Sequence, residues 1–210
     1  MLRGAFKIKA AEPPQALLTA AAYGDLAALH KEIARHKKQI DAVDIAGKNA
    51  LLYALENGHE EHAALLLHHG ARHDVVTVAG ETPLMFACAK MLSGAVEKLL
   101  ISGAALDAQD DIHGDTALMK AARAGHGWAA CRLAAAGAAM DVVNKKGEDA
   151  EALAREHLPP KEFASFMAVL VQRRDAEAAA ARARLFEQNC VLQRDIVPLK
   201  VVQLHPRRPK

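Results

Sequence analysis

The stretch that decides the fold is Gly80-Glu81-Thr82-Pro83-Leu84-Met85-Phe86-Ala87, because much of it returns 34 residues later as Gly114-Asp115-Thr116-Ala117-Leu118-Met119-Lys120-Ala121. Two more glycines in the same phase, Gly47 and Gly147, lie 33 residues before the first and 33 residues after the second. An alanine follows each of the four glycines by seven residues. A large apolar residue follows each of them by nineteen: Leu66, Leu99, Leu133 and Phe166. Four coincidences in phase predict an internal repeat.

Each period is typical of two short helices joined by a turn. A side chain that can cap a helix stands two residues after each glycine: Asn49, Thr82, Thr116 and Asp149. Pro83 then occupies the first helical position, where its missing N–H costs nothing. Apolar residues at i, i+3 and i+4 predict a second helix, which a Gly-Ala pair ends in three of the units. The pattern predicts an all-α fold.

These residues resemble the ankyrin repeat, whose consensus runs G-x-T-P-L-H-x-A-A-x-x-G-H and then V-x-x-L-L-x-x-G-A. Gly58-His59 and Gly125-His126 match the middle of that consensus. The resemblance covers residues 15–173, with about three good repeats between two degenerate capping repeats, after a lead segment at residues 1–14. It implies an ankyrin-repeat solenoid of stacked helix-turn-helix units. We expect residues 174–210 to add a helical extension and a basic, partly extended tail.

Three departures from the consensus predict local changes in geometry. Met91-Leu92 replace the Gly-His of the turn between two helices. Leu158-Pro159-Pro160 predict a rigid, altered loop in the last repeat. An extra residue lies within residues 108–113, in the turn before Gly114.

Composition favours a folded intracellular protein. The formal net charge is only +2, which gives no general attraction to nucleic acid or membrane. Alanine, the best helix former, supplies about a fifth of the chain. No apolar run has the length of a signal peptide or a membrane span, so we expect a cytoplasmic protein without membrane contact. Cys88 and Cys131 fall on repeat helices, where we expect them in the core.

The resemblance implies that turn tips and first helices line a concave face, which binds a protein partner. The candidate contacts at the tips are Val43, Ile45, Lys48, Val78, Glu81, Ile112, His113, Asp115, Lys145 and Lys146. The candidates on the first helices are Tyr23, Glu56, Asn57, Lys90 and Arg123. Apolar tips among charges of both signs suit a protein surface and suit DNA poorly, since phosphate binding needs a basic stripe. Packing of each tip on the next is the alternative.

Trp128 is a further candidate contact, because it begins the second helix of its repeat at a position that usually faces outward. Tryptophan is enriched among the residues that carry most of the binding energy at interfaces. Packing of Trp128 against the neighbouring repeat is the alternative interpretation.

The chain changes character after Pro160. The last helix is expected to continue to Asn189, beyond what a repeat needs, and either folds back on the repeats or projects toward a partner. Residues 196–202 predict an extended segment, with Pro198 favouring an edge or a loop. We interpret the basic end at 204–210 as a disordered tail, with a docking peptide or a weak nucleic-acid contact as alternatives.

The residue pattern offers little support for catalysis or metal binding. Among eleven histidines, His59 and His62 are three residues apart, whereas the metalloprotease helix H-E-x-x-H places two histidines four apart. Neither a phosphate-binding glycine loop nor a nucleophile with a base and an orienting group stands out. We therefore expect no enzymatic activity, no metal, no cofactor and no small-molecule substrate.

The predicted function is a protein–protein interaction scaffold, as an adaptor or regulatory subunit, with the identity of the partner open. Richness in alanine favours a bacterial source, so one alternative is a secreted bacterial effector that uses the same surface on a host protein. A metal-binding enzyme is the other alternative.

Overall fold

The computed structural model describes the backbone of residues 14–194 and the side chains of residues 14–184. The described backbone contains ten α-helices, one short 3-10 helix at Lys37–Gln39 and no strand. The helices are α1 (Gln15–Tyr23), α2 (Leu26–Arg35), α3 (Ala50–Glu56), α4 (Glu60–His68), α5 (Pro83–Ala89), α6 (Ser93–Ile101), α7 (Ala117–Arg123), α8 (Gly127–Ala136), α9 (Ala150–His157) and α10 (Pro160–Arg194). The predictions for residues 1–13, for the extended segment at 196–202 and for the basic tail lie outside the described residues.

The helices stack as successive pairs in chain order. The first helices of neighbouring pairs pack on one another as α1, α3, α5, α7 and α9. The second helices α2, α4, α6 and α8 pack in the same order and form a second layer. This arrangement confirms the predicted all-α solenoid of helix-turn-helix repeats, in which each unit covers the apolar side of the next. The predicted C-terminal helix is present as α10, which is 35 residues long.

The predicted helix caps are formed in all four units that carry them. The backbone N–H of Leu52 donates to Asn49 Oδ1 at 3.0 Å, and that of Ala152 donates to Asp149 Oδ1 at 2.7 Å. The hydroxyls of Thr82 and Thr116 each accept a backbone N–H at 3.3 Å. Each bond satisfies a donor that the first turn of a helix otherwise leaves unpaired.

The core contains the small and the large side chains that recur with the repeat. The periodic alanines of the first helices are fully buried: Ala54, Ala87, Ala121 and Ala154. The periodic large residues of the second helices are fully buried as well: Leu66, Leu99, Leu133 and Phe166. The alanines let neighbouring first helices approach closely, while the large side chains fill the space between the layers.

The chain divides into two compact units, one that ends at Leu170 and one that begins at Val171. The described part of the second unit is helical, and its side chains at 171–184 are exposed except for the half-buried Arg173, which pairs with Glu177 at 2.8 Å. Within residues 14–194, no helix combines the length and the apolar character that a membrane crossing needs.

Candidate functional site

The turns that link one repeat to the next, here called the tips, are tight loops organised by a polar side chain. Asp44 Oδ1 accepts the backbone N–H groups of Ala46 and Lys48, each at 2.9 Å. Asp110 occupies the same place two tips later, and its Oδ1 accepts three N–H groups, from residues 112–114. The predicted extra residue lies in this turn, and the additional hydrogen bond accommodates it.

Neighbouring tips are joined directly through their backbones. In each junction, an N–H of one tip donates to a carbonyl of the tip before it: Val78 to Ala46 at 3.0 Å, Asp111 to Ala79 at 2.8 Å and Lys145 to His113 at 2.9 Å. These bonds hold the tips in register, so equivalent residues of successive tips form a row along one edge of the stack.

Three aliphatic side chains in this row are exposed. Ile45 is fully exposed, Val78 is 75% exposed and Ile112 is 55% exposed. We call these three residues the tip ridge. The alternative for such residues is that they pack on the next tip. This alternative fits the half-buried Val43 better than it fits the exposed residues of the tip ridge. The tip ridge is therefore a surface available to a partner.

Several of the predicted charged contacts form ion pairs along the surface made by the tips and the first helices, here called the groove. Lys48 Nζ lies 2.8 Å from a carboxylate oxygen of Glu56. Lys120 Nζ lies 3.1 Å from Glu81 and 3.1 Å from Asp110, whose carboxylate is fully buried. Each pair joins a charge of a tip to a charge of a first helix, so the pairs brace the two elements against each other.

Asp115 is a correction to the candidate contacts. Only 1% of its surface is exposed, because Arg123 approaches its carboxylate at 3.2 Å and the Asn144 amide donates to it at 2.9 Å. Arg123 also reaches Glu148 at 3.3 Å. Asp115 therefore joins two repeats within the molecule, and its side chain offers no surface to a partner.

Two ionisable groups of the groove have pKa values that hold them in one protonation state at neutral pH. The hydrogen bond from Tyr53 to Asp44, 2.6 Å long, and partial burial raise the pKa of Tyr53 to about 12. Burial acts to raise the pKa of Asp110, but the N–H of His113 and the ammonium of Lys120 outweigh it and lower that pKa. The phenol of Tyr53 therefore stays protonated and the carboxylate of Asp110 stays charged at neutral pH.

Sequence reasoning missed three groove residues, namely Tyr53, Phe86 and Lys120. The ammonium of Lys48 lies 5.7 Å from the ring centre of Tyr53 and 5.9 Å from that of Phe86, within the range of cation–π attraction. A signal was present, since all three residues follow a tip glycine by six positions. The large side chains at that position identify it as the floor of the groove.

The other candidates lie on the same surface, and several border hollows. Six of them have exposed side chains: Tyr23, Asn57, Lys90, His113, Lys145 and Lys146. A hollow of about 500 Å³ lies between Tyr23 and Tyr53. A smaller hollow of about 220 Å³ lies beside Lys145, whose Nζ donates to the carbonyl of Asp111 at 2.5 Å.

Trp128 lies apart from the groove, at the turn between the two helices of its repeat, here called the mid-turn. It is 43% exposed, and its ring stacks on that of His126 at 6.0 Å between centres. The nearby Cys131 is half-buried and packs against the core, whereas Cys88 is fully buried within it. Trp128 and Cys131 border a separate hollow.

No metal centre stands out in the part of the chain that the structure describes. Within those residues, no group of three histidine, cysteine, aspartate or glutamate side chains could hold a metal ion. Burial raises the pKa of the Cys88 thiol, which keeps it protonated and unreactive.

Comparison with known families agrees with this geometry. A family model described as ankyrin repeats (3 copies) matches residues 72–146. The chain contains ankyrin repeats. A search of curated proteins finds no significant match. Ankyrin repeats generally mediate protein–protein interaction, and the family is typically non-catalytic.

Proposed function

We propose that this ankyrin-repeat protein is an interaction scaffold, an adaptor or regulatory subunit, whose groove holds a protein partner. The observation that carries the proposal is the tip ridge, where Ile45, Val78 and Ile112 expose aliphatic side chains in one row. Aliphatic side chains that line up on a surface mark interaction sites, because water solvates them poorly. A row of this kind beside a charged groove suits an apolar centre and a polar rim.

The paired charges of the groove support the same function. Lys48, Lys120 and Arg123 are already held by carboxylates, so binding would order few additional side chains. A surface that is ordered before it binds loses less conformational entropy on association. Charges of both signs around the apolar row would select the orientation of a partner and disfavour a polyanion such as DNA.

We also propose that the scaffold acts in the cytoplasm. Cys88 is free and fully buried, and Cys131 is free and half-buried. Free thiols on structural helices are compatible with a reducing compartment, where disulfide formation does not compete with folding.

Val78 and Ile101 provide a matched pair of sites for a test. Both are exposed branched aliphatic residues, at 75% and 78%, but Val78 lies on the tip ridge and Ile101 ends the second helix α6. A photo-cross-linking amino acid at each site, introduced in the native cell, would identify a partner that couples to position 78 and not to position 101. The affinity of that purified partner is then measured for Val78→Asp and Ile101→Asp.

We expect Val78→Asp to weaken binding by about tenfold or more, because it places a charge in the apolar centre of the interface. Ile101→Asp should leave the affinity unchanged. Equal losses from both variants, or a loss from Ile101→Asp alone, would show that the partner does not use the groove and would overturn the proposal.

A further inference from the structure

The hollow that Trp128 and Cys131 border lies at the opposite end of the helix pairs from the tips. Its volume is about 490 Å³, which is within the usual range of ligand clefts. Its walls come from the mid-turns of the third and fourth repeats and from the start of α10. The residues that define this mid-turn hollow are Met91, Ser93, His126, Trp128, Cys131 and Glu162.

Met91 and Trp128 line the mid-turn hollow, and Met91 stands where the repeat pattern has glycine. Met91 has φ of 60°, a left-handed conformation that Gly58 and Gly125 adopt at the equivalent places without strain. Its side chain is 53% exposed and lines the hollow, and Trp128 adds an exposed aromatic wall. Residues with a strained backbone are concentrated at functional sites, because elsewhere glycine adopts the same conformation without strain energy.

The charge of the mid-turn hollow is negative. Glu162 Oε2 accepts the backbone N–H of Gly127 at 2.9 Å, which fixes the carboxylate at the edge of the hollow. His126 is 5% exposed and lies 3.0 Å from the hydroxyl of Ser93. Burial lowers the pKa of His126 against the opposing effects of Glu162 and Glu60, so its imidazole is neutral at pH 7. Among the residues that line the hollow, Glu162 alone then carries a formal charge.

We propose that the mid-turn hollow binds a lysine or arginine side chain of a protein partner. The aromatic face of Trp128 attracts a cation, Glu162 neutralises its charge, and Met91 packs on its aliphatic stem. This contact is separate from the groove and would give the scaffold a second attachment point for a basic segment.

Trp128 is the only tryptophan of the chain, so intrinsic fluorescence reports directly on the mid-turn hollow. The probe is a capped peptide of five residues with one central lysine between glycines. Two matched peptides carry acetyl-lysine, which keeps the stem without the charge, or glutamate. We expect a saturable change in Trp128 fluorescence with the lysine peptide, and affinity about tenfold weaker or undetectable with the other two.

Glu162→Gln removes the charge but keeps an oxygen that can accept from Gly127. This substitution should weaken the affinity for the lysine peptide by about fivefold or more. Glu151→Gln, which removes a half-buried carboxylate at the start of α9, is the control and should have no effect. Thermal melts verify that both variants fold.

Three outcomes would overturn the proposal: no saturable response to lysine, an equal response to acetyl-lysine or glutamate, or full affinity in a folded Glu162→Gln variant. The peptide comparison is made on the unmodified protein, so it decides the matter even where the variant does not fold.

Discussion

The tip edge and the mid-turn edge of the repeats hold neighbours together by different means. Tips are joined by backbone bonds, such as that from Val78 to Ala46. Mid-turns are joined by side chains: Glu60 accepts the N–H of Ala95 at 2.9 Å, and the His59 ring donates to the carbonyl of Ala22 at 3.0 Å. A backbone bond forms whatever the side chain is, whereas a side-chain bond needs one particular residue.

This difference determines where each edge can vary. The junctions between tips use backbone groups, so the exposed side chains of Ile45, Val78 and Ile112 can serve a partner. At the mid-turns each replacement alters a junction, and the replacement of Gly-His by Met91-Leu92 coincides with a hollow. The tip edge is therefore regular and continuous, while the mid-turn edge carries a local site.

The largest effect should come from the core that both edges share. Leu99 is fully buried between the layers, so Leu99→Ala should lower the free energy of unfolding by about 2–5 kcal/mol through lost burial and a cavity. Urea denaturation measures the loss. Ile101→Ala, in the same helix at a 78% exposed site, is the control. Similar losses from both variants would contradict the assigned core.

Replacement of glycine by alanine should cost different amounts of stability at the two edges. Gly80 at a tip has φ of 74°, and a Cβ there would lie 2.9 Å from the backbone N of Asp111, which bonds to the preceding tip. Gly58 at a mid-turn has φ of 79°, with nothing within 4 Å of an added Cβ. Gly58→Ala should cost about 1 kcal/mol from the left-handed backbone alone. Gly80→Ala should cost about 2–4 kcal/mol, because steric overlap adds to that strain.

The same urea denaturation ranks the two variants. Equal costs for Gly58→Ala and Gly80→Ala would mean that close backbone contact between tips does not stabilise the stack, and the contrast between the edges would fail.

Acid should destabilise the mid-turn edge, where side chains join neighbouring repeats. Burial lowers the pKa values of His62, which faces His59, Asp25 and Glu61, and of His126, which faces Glu162 and Glu60. Both are neutral when folded, whereas an unfolded histidine protonates near pH 6.5. As pH falls through 6.5, the unfolded state takes up protons that the folded state does not. Stability then falls by at most about 1.4 kcal/mol per pH unit for each ring, until the lowered folded pKa is reached.

Denaturation at pH 7.5, 6.5 and 5.5 tests this effect through its slope. His62→Gln and His126→Gln should each flatten the dependence of stability on pH, whatever their effect on stability itself. His30→Gln, at an exposed position of α2, should leave the slope unchanged. An unaltered slope in both buried variants would assign the acid sensitivity to other groups.

The smallest effect should come from Met91, the one left-handed residue other than glycine among those described. Met91→Gly relieves about 1–2 kcal/mol of strain but adds entropy to the unfolded chain, so a net gain of about 0.5 kcal/mol is expected. Leu92→Gly is not equivalent, because Leu92 has a negative φ, and it should destabilise. A loss of stability in Met91→Gly would mean that its packing outweighs the backbone strain.

Much of the fold could be predicted because the informative residues recur with one period along the chain. The caps at Asn49 and Asp149, the buried alanines and the large residues of the second helices all formed as their spacing indicated. The groove was predicted less completely. Glu81 and Arg123 lie on it, but the sequence did not reveal their intramolecular partners. Phe86 was overlooked because an aromatic residue in a helix is usually interpreted as core.

The sequence alone determined the repeat, the helices and the buried faces, because each depends on residues within one period of the chain. Only the tertiary structure decided which tip side chains are free and which are engaged, as Ile45 and Asp115 illustrate. That decision depends on groups about thirty residues apart, such as Asp115 and Asn144 or Gly127 and Glu162. Stacking brings these groups within hydrogen-bond distance, and no local pattern encodes the approach.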